Sequence, residues 1–184
     1  MGEIRDCQPV LLILAAFSRH EAALAWSLER ASEAWGHIRH ASPLFAFTET
    51  GYYTPTMGPG LIKRFVAFER LIDPGDLAAI KRATNAWEAE YAAAHDHAEP
   101  RPLNLDPGYI TPAKVVLAST KDFAHRIYLD GGIYAEITLQ FRHGAWHALP
   151  WTFPDYQRAD YHEFFTACRE YLVRRLQEHR STPP

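Results

Sequence analysis

The spacing of apolar positions changes several times along this chain, and each change predicts an element. Residues 10–17 (Val-Leu-Leu-Ile-Leu-Ala-Ala-Phe) are an unbroken apolar run, which predicts a central strand over 9–17 with both faces buried. Ser18 with Glu21 three residues later has the form of a capping box. Leu24, Leu28, Ala31 and Trp35 then recur at helical spacing, and Gly36 closes that helix. Residues 38–49 read as extended, with Leu44, Phe45, Ala46 and Phe47 buried. A loop rich in Gly, Pro and Tyr covers 51–60, and 61–72 reads as another strand. Asp73 and Pro74 open a second helix whose buried side is marked by Leu77, Ile80, Trp87 and Tyr91. Residues 95–102 form a polar connector.

The second half changes period more often. Residues 103–106 predict a short strand ending at Asp106, and Pro107-Gly108 predicts a type II turn. Thr111 and Pro112 have the residue types of a helix start, so a short helix is expected there. Two hairpins follow, then a C-terminal helix over 157–178 with Tyr161, Phe165, Cys168, Leu172 and Leu176 as its apolar stripe.

The hairpin at Asp130-Gly131-Gly132 admits two registers. A two-residue loop sets Ile127 opposite Tyr134, whereas a three-residue loop sets Tyr128 opposite Tyr134 and Arg126 opposite Glu136. The second gathers Ile127, Leu129, Ile133, Ala135 and Ile137 on one face, so patterning prefers it and expects that face in the core. His125 then points toward the apolar side. The next turn, at His143-Gly144, sets Phe141 opposite Trp146.

The order of elements implies an α+β fold. It matches a ferredoxin-like βαββαβ core with an appended short helix, β-hairpins extending a mixed sheet, and a C-terminal helix. The core helices are expected on one face. Residues 1–184 read as a single domain, with a core over about 9–178 and short flexible tails.

Composition narrows the function classes. Hydrophobic residues are 47% and charged residues 22% of the 184, close to globular averages. The net charge of -3 gives no general attraction to phosphate backbones, so nucleic acid is disfavoured as a partner. The longest apolar run falls well short of the roughly 20 residues that cross a bilayer, so no membrane partner is expected. Cys7 and Cys168 lie near opposite ends and make no disulfide framework, which favours a cytoplasmic location.

Residues 104–142 concentrate ionisable side chains in a short span. Arg126 and Glu136 read as a cross-strand ion pair, or as a cleft floor in which Arg126 binds an anion and Glu136 orients it or takes a proton. Asp106 sits where ligands gather beyond strand ends, or it bonds its own turn. Lys114 and Lys121 flank the expected short helix and, turned inward, would complete a positive pocket with Arg126.

Arg64, Glu69 and the neighbouring Lys63 and Arg70 interrupt an apolar strand. Tyr52, Tyr53, Tyr109, Tyr128 and Tyr134 offer faces for a base or sugar, against the plainer reading of amphipathic packing. Met57-Gly58-Pro59-Gly60 is no P-loop, because the lysine spacing is missing. Ser119 belongs to no Gly-x-Ser-x-Gly elbow. His95-Asp96-His97 and His162-Glu163 lack zinc-site spacing, so zinc is disfavoured and Mg²⁺ on carboxylates is the better metal.

Several of these stretches carry a resemblance. Met57-Gly58-Pro59-Gly60, Phe68-Glu69-Arg70-Leu71-Ile72, Asn104-Leu105-Asp106-Pro107-Gly108-Tyr109, His125-Arg126-Ile127-Tyr128-Leu129, Tyr134-Ala135-Glu136-Ile137-Thr138-Leu139 and Leu149-Pro150-Trp151-Thr152 resemble an uncharacterised bacterial family. It is the domain of unknown function numbered four-four-one-six, and the resemblance runs over about residues 9–175. It implies no established activity. A GTP-binding label sometimes attached to the family finds no support in this chain. There is no Walker lysine loop, and Thr120-Lys121-Asp122 lacks the intervening residue of a guanine-reading motif. The resemblance does group Arg64, Glu69, Asp106, His125, Arg126 and Glu136.

The expected function is binding of an anionic, phosphate-bearing or nucleotide-like small molecule in a polar cleft, with hydrolase or transferase chemistry as an extension. Arg64, Glu69, Lys114, Lys121, Arg126 and Tyr134 are the ligand-binding candidates, and Asp106, His125 and Glu136 the catalytic ones. The rival is a non-catalytic homo-oligomeric interaction module. A third reading is a divalent-metal enzyme in which Asp106, Glu136 and His125 or Glu69 share one coordination shell.

Overall fold

The computed structural model describes residues 2–3 and 6–181, with side chains described as far as residue 178. Arg5 and the last three residues of the C-terminal tail lie outside the described residues. The elements are β1 (Val10–Ser18), α1 (Glu21–Trp35), β2 (Ile38–Ala41), β3 (Phe45–Ala46), α2 (Thr54–Met57), β4 (Ile62–Ile72), α3 (Leu77–Ala94), β5 (Asn104–Ile110), β6 (Lys114–Ser119), β7 (Ile127–Asp130), β8 (Ile133–Arg142), β9 (Ala145–Ala148) and α4 (Ala159–Ser181). Short 3-10 turns cover Pro74–Asp76 and Pro154–Gln157.

The fold is α+β, with the nine strands in one open sheet of order β2-β4-β1-β5-β6-β8-β7; β3 also pairs β4 and β9 also pairs β8. Every pairing is antiparallel, so the sheet is not mixed as its element order suggested. β1 lies between β4 and β5, which explains its unbroken apolar run. Val10, Leu12, Leu14 and Ala16 face α1 and α3, packing with Leu24, Trp35, Trp87 and Tyr91. Leu11, Ile13 and Ala15 face the other way, toward Tyr161, Phe165, Cys168 and Leu172 of α4. The core helices α1 and α3 share one face as expected, and α4 covers the other, because its stripe needs an apolar surface that α1 and α3 leave bare.

Two local readings fail for the same reason. Pro107-Gly108 is not a turn, and no helix follows Thr111. β5 runs through both residues, and Thr111–Ala113 is a tight connection to β6 in which Thr111 Oγ1 accepts from the Ala113 and Lys114 amides. Residue types that open helices also close hairpins. Gly108 is needed for close approach. A Cβ there would stand 2.7 Å from Leu117 Cδ2 and nearer still to the Val116 carbonyl oxygen. Gly108→Ala is expected to cost about 1–3 kcal/mol by overpacking. At roughly 2–4 °C per kcal/mol for a chain of this size, calorimetry should read it as a lower Tm.

Ser18 does not cap α1 as a capping box. His20 is the N-cap, and Ser18 Oγ accepts from the His20 amide and donates to the Pro102 carbonyl at 2.6 Å, tying the connector to β1. The stretch 38–49 is extended only at β2 and β3.

The hairpin sets Tyr128 opposite Tyr134 as the preferred register does, but its tip differs. Gly131-Gly132 form a two-residue turn that sets Asp130 opposite Ile133, and a register shift between Tyr128 and Asp130 joins the two pairings. Phe141 stands opposite Trp146. The hairpin's faces are not divided as patterning expects. Ile127 is 73% exposed, whereas Glu136 is 3% exposed and Thr138 fully buried. The chain after β9 crosses the polar face and covers it. Thr152 Oγ1 donates to the Thr138 carbonyl, and Trp151 Nε1 donates to the Ile137 carbonyl at 2.9 Å.

Candidate functional site

The sheet opens between β5 and β6. The two strands pair only at Gly108–Ile110 with Val115–Leu117; beyond that β5 stays with β1 and β6 stays with β8. Pro107 explains the parting. Thr111 donates its amide across to Lys114 O, so by the alternation of a strand residues 109, 107 and 105 point their amides the same way. Pro107 has no N–H to give, and the ladder stops there. The backbone of Leu105 would then be orphaned, but α3 supplies partners. The Leu105 amide donates to Glu88 Oε1 at 2.7 Å, and Lys81 Nζ donates to the Leu105 carbonyl at 2.7 Å.

A cavity of about 590 Å³ occupies this opening. One side is a polar network from α3 and β5. Lys81 Nζ also donates to Asp106 Oδ1 at 3.1 Å, and Asn104 Nδ2 donates to Asp106 Oδ2 at 2.8 Å. Arg101 Nη2 donates to Glu88 Oε2 at 3.0 Å and to Asn104 Oδ1. The opposite side holds a buried ion pair, Lys63 Nζ to Asp155 Oδ2 at 2.6 Å. The Lys63 ammonium lies among rings, 4.6 Å from the Tyr156 centroid, 5.0 Å from Phe47 and 5.3 Å from Phe17.

The mouth is formed by the segment after β6. Lys121 Nζ donates to the Tyr52 hydroxyl at 2.7 Å, and this pulls the Tyr52 phenol below its ordinary pKa. Arg126 Nη1 donates to Ser119 Oγ at 2.7 Å and to the Lys121 carbonyl at 3.0 Å, while its Nε donates to Glu136 Oε2 at 2.8 Å. His125 Nε2 lies 3.1 Å from the same Glu136 oxygen, with its ring stacked between Phe123 and Trp151. His125 thus joins the polar side, because Phe123 to Arg126 is a turn that leaves the strand's alternation.

Two carboxylates on the α3 side differ in their titration. Burial raises Glu88 above its ordinary value, and Lys81 and Arg101 only partly oppose it. Burial would raise Asp106 as well. There Lys81, Lys63 and the hydrogen bonds from Lys81 and Asn104 together outweigh it and hold the carboxyl below its ordinary 3.8. A depressed acid contributes stability that is fully present above its unfolded pKa and lost as pH falls through its folded one. Asp106→Asn is therefore expected to flatten the acid limb of stability below an ordinary aspartate pKa of about 3.9, read by urea unfolding against pH. An unchanged acid slope would contradict the pairing.

Of the residues expected at a site, Asp106, Lys121, Arg126 and Glu136 line one cavity, and His125 reaches it through Glu136. Arg64, Glu69, Lys114 and Tyr134 do not line it. Arg64 Nε donates to the Ser42 carbonyl. The Glu69 carbonyl accepts from Tyr171 of α4. Lys114 stands opposite Gln140 at the closed end of β6, and Tyr134 packs on Tyr128. Nor do Asp106, Glu136, His125 and Glu69 form one coordination shell. Among the described residues, the group of three or more ligand atoms close enough to share a cation is His20, His97 and Glu99. The sequence did not single out Lys81, Glu88, Arg101 or Asp155. The first two had a signal, since 81 and 88 fall at helical spacing beside the buried side of α3.

Comparison with known proteins agrees with the resemblance seen in the motifs. The model of the family DUF4416, a domain of unknown function, matches residues 8–171, and the chain belongs to that family. No curated protein and no solved structure matches it. Among the described residues no helix is long and apolar enough to cross a membrane.

Proposed function

We propose that this DUF4416 chain binds an anionic, phosphate-bearing and nucleotide-like small molecule in the cleft between β5 and β6. The observation that carries the reading is the opening itself, a 590 Å³ cavity whose mouth gathers Lys121, Arg126 and the Ser119 hydroxyl. That volume falls within the roughly 300–1,000 Å³ of small-molecule sites. Lys81, Arg101, Lys63 and Arg126 are already engaged by carboxylates. Lys121 is held by a neutral phenol, so an anion displaces nothing charged there. The exposed Tyr52 and Phe123 flank the mouth and offer faces to a flat group.

Asp106 supports the chemical extension. Held ionised, it would act as a base or share Mg²⁺ with phosphate oxygens in a hydrolase or transferase step. The cleft would sit on a ferredoxin-like core, supported by the partial order β2-β4-β1-β5 with α1 and α3 on one face.

A thermal-shift panel of nucleotides, sugar phosphates and other phosphate esters, with and without Mg²⁺, tests this. A ligand at a hundred times its Kd adds about 2.7 kcal/mol, or roughly 5–10 °C here. The shift should vanish in Lys121→Ala, whose own Tm should match the parent because the side chain sits at the exposed rim. No shift across the panel, or an equal one in the variant, overturns the reading.

A second reading rests on β7. Among the described residues it pairs only with β8, and it leaves Ile127, Tyr128 and Leu129 exposed along a sheet edge. A second copy of the chain would cover it by edge pairing. Sedimentation should then show a dimer that Ile127→Lys dissociates; a monomer at every concentration removes this reading.

A further inference from the structure

His20, His97 and Glu99 meet outside the cleft. His20 is the N-cap of α1, and the other two lie on the connector between α3 and β5. The imidazole rings of His20 and His97 lie 4.2 Å apart at 32°. His20 Nε2 is 3.1 Å from Glu99 Oε2. One ligand atom from each of the three residues lies within 4.8 Å of the others. The surroundings hold these groups in place. Arg19 Nη1 donates to the other Glu99 oxygen, Oε1, at 2.6 Å. His97 Nε2 lies 3.3 Å from the Tyr91 hydroxyl, and His95 stacks on the Tyr91 ring at 4.0 Å, with its Nδ1 3.0 Å from the Tyr91 carbonyl.

We propose that His20, His97 and Glu99 form a binding site for a borderline divalent cation, with Zn²⁺ the best fit. Two imidazoles and a carboxylate are a donor set for such a cation. Mg²⁺ and Ca²⁺ prefer oxygen ligands throughout, so the imidazoles argue against them. Zinc ligands at about 2.0–2.1 Å in a tetrahedron stand roughly 3.3 Å apart. The His20–Glu99 separation of 3.1 Å is already close to that, and only His97 must draw in. The cation takes the place of the His20 to Glu99 hydrogen bond. Arg19 and Tyr91 act as outer partners that orient a ligand from its far side, and water completes the coordination.

The site has a structural consequence for the cleft. The connector that carries His97 and Glu99 also carries Arg101, which binds Glu88 and Asn104 in the cavity wall. A bound cation ties that wall to the start of α1. The fold supplies what the spacing of His95-Asp96-His97 lacks, a partner from a distant part of the chain.

Calorimetric titration of the tag-free, chelator-treated chain with Zn²⁺ at neutral pH tests the site. One site per chain is expected, with low-micromolar or tighter affinity. His20→Gln and Glu99→Gln should each weaken it by at least about tenfold, while the surface variant His147→Gln binds as the parent does. All three side chains are partly exposed, so the variants should keep the parent's circular dichroism. Should either fail to fold, the imidazole resonances of the parent decide, with His20 and His97 shifting together at one equivalent. Failure of the parent to bind at micromolar Zn²⁺, equal affinity in both variants, or shifts confined to other histidines overturns the proposal.

Discussion

Lys63→Ala is expected to cost roughly 3–5 kcal/mol of unfolding free energy, because it leaves Asp155 charged and unpaired in the interior. The two side chains are 3% and 5% exposed and 2.6 Å apart. Asp155 is the carboxylate in contact with the ammonium, Asp106 feels its charge from farther off, and rings surround the ammonium. The same reasoning sets a control. Replacing both partners together, Lys63→Met with Asp155→Leu, removes the desolvated charges and should be near neutral in stability. Urea unfolding of the two single variants and the pair checks this. If Lys63→Ala unfolds at the parent's midpoint, the pair is solvated in solution and the cavity is open on that side.

Arg126→Ala is expected to lower stability by about 3 kcal/mol, somewhat less, because Glu136 keeps a neighbour. The Glu136 side chain is 1% exposed and accepts from Arg126 Nε at 2.8 Å, with His125 Nε2 and Thr138 Oγ1 as its other partners. Glu136→Gln in the Arg126→Ala background should recover part of the loss, since a neutral amide is cheaper to leave in that pocket. A double-mutant cycle should return a coupling of roughly 1–3 kcal/mol. A coupling near zero would mean that the guanidinium is held by Ser119 and the Lys121 carbonyl alone. This cost is also why Lys121, at the rim, is the cleaner probe of ligand binding.

Much of the fold was legible because periodicity reports burial directly. β1 announced itself as buried on both faces, and the α1, α3 and α4 stripes are the surfaces that cover it. The pairing of Tyr128 with Tyr134 followed from the strand pattern, while the turn beyond it is one residue shorter than that pattern implied and a register shift takes up the difference. What failed were positions where one residue type serves two purposes. Thr111-Pro112 closes a hairpin with the residues that open a helix. Pro107 lies inside a strand, where its missing amide ends a ladder instead of making a turn.

The site was half legible. Asp106, Arg126 and Glu136 stood out as charges among strand residues, and they line one cavity. Arg64 and Lys114 had the same appearance and lie elsewhere, because strand alternation says that a side chain leaves the core but not what crosses above it. The segment over Leu149–Tyr156 decides that, and its course is set by packing rather than by local pattern. Lys81 and Glu88 could have been found. They fall beside Leu77, Ile80, Thr84, Trp87 and Tyr91 on the buried stripe of α3, where charged residues need a partner.

Under the proposed function, the parting of β5 and β6 is a binding site for an anionic small molecule. The most direct measurement is a series of amide nitrogen–proton correlation spectra of the chain titrated with phosphate-bearing ligands. The predicted result is a saturable shift concentrated at Ser119, Thr120 and Lys121, with Leu105, Asp106 and Tyr52 following across the opening. Shifts that lie only outside these segments, or no shift at millimolar ligand, would contradict it.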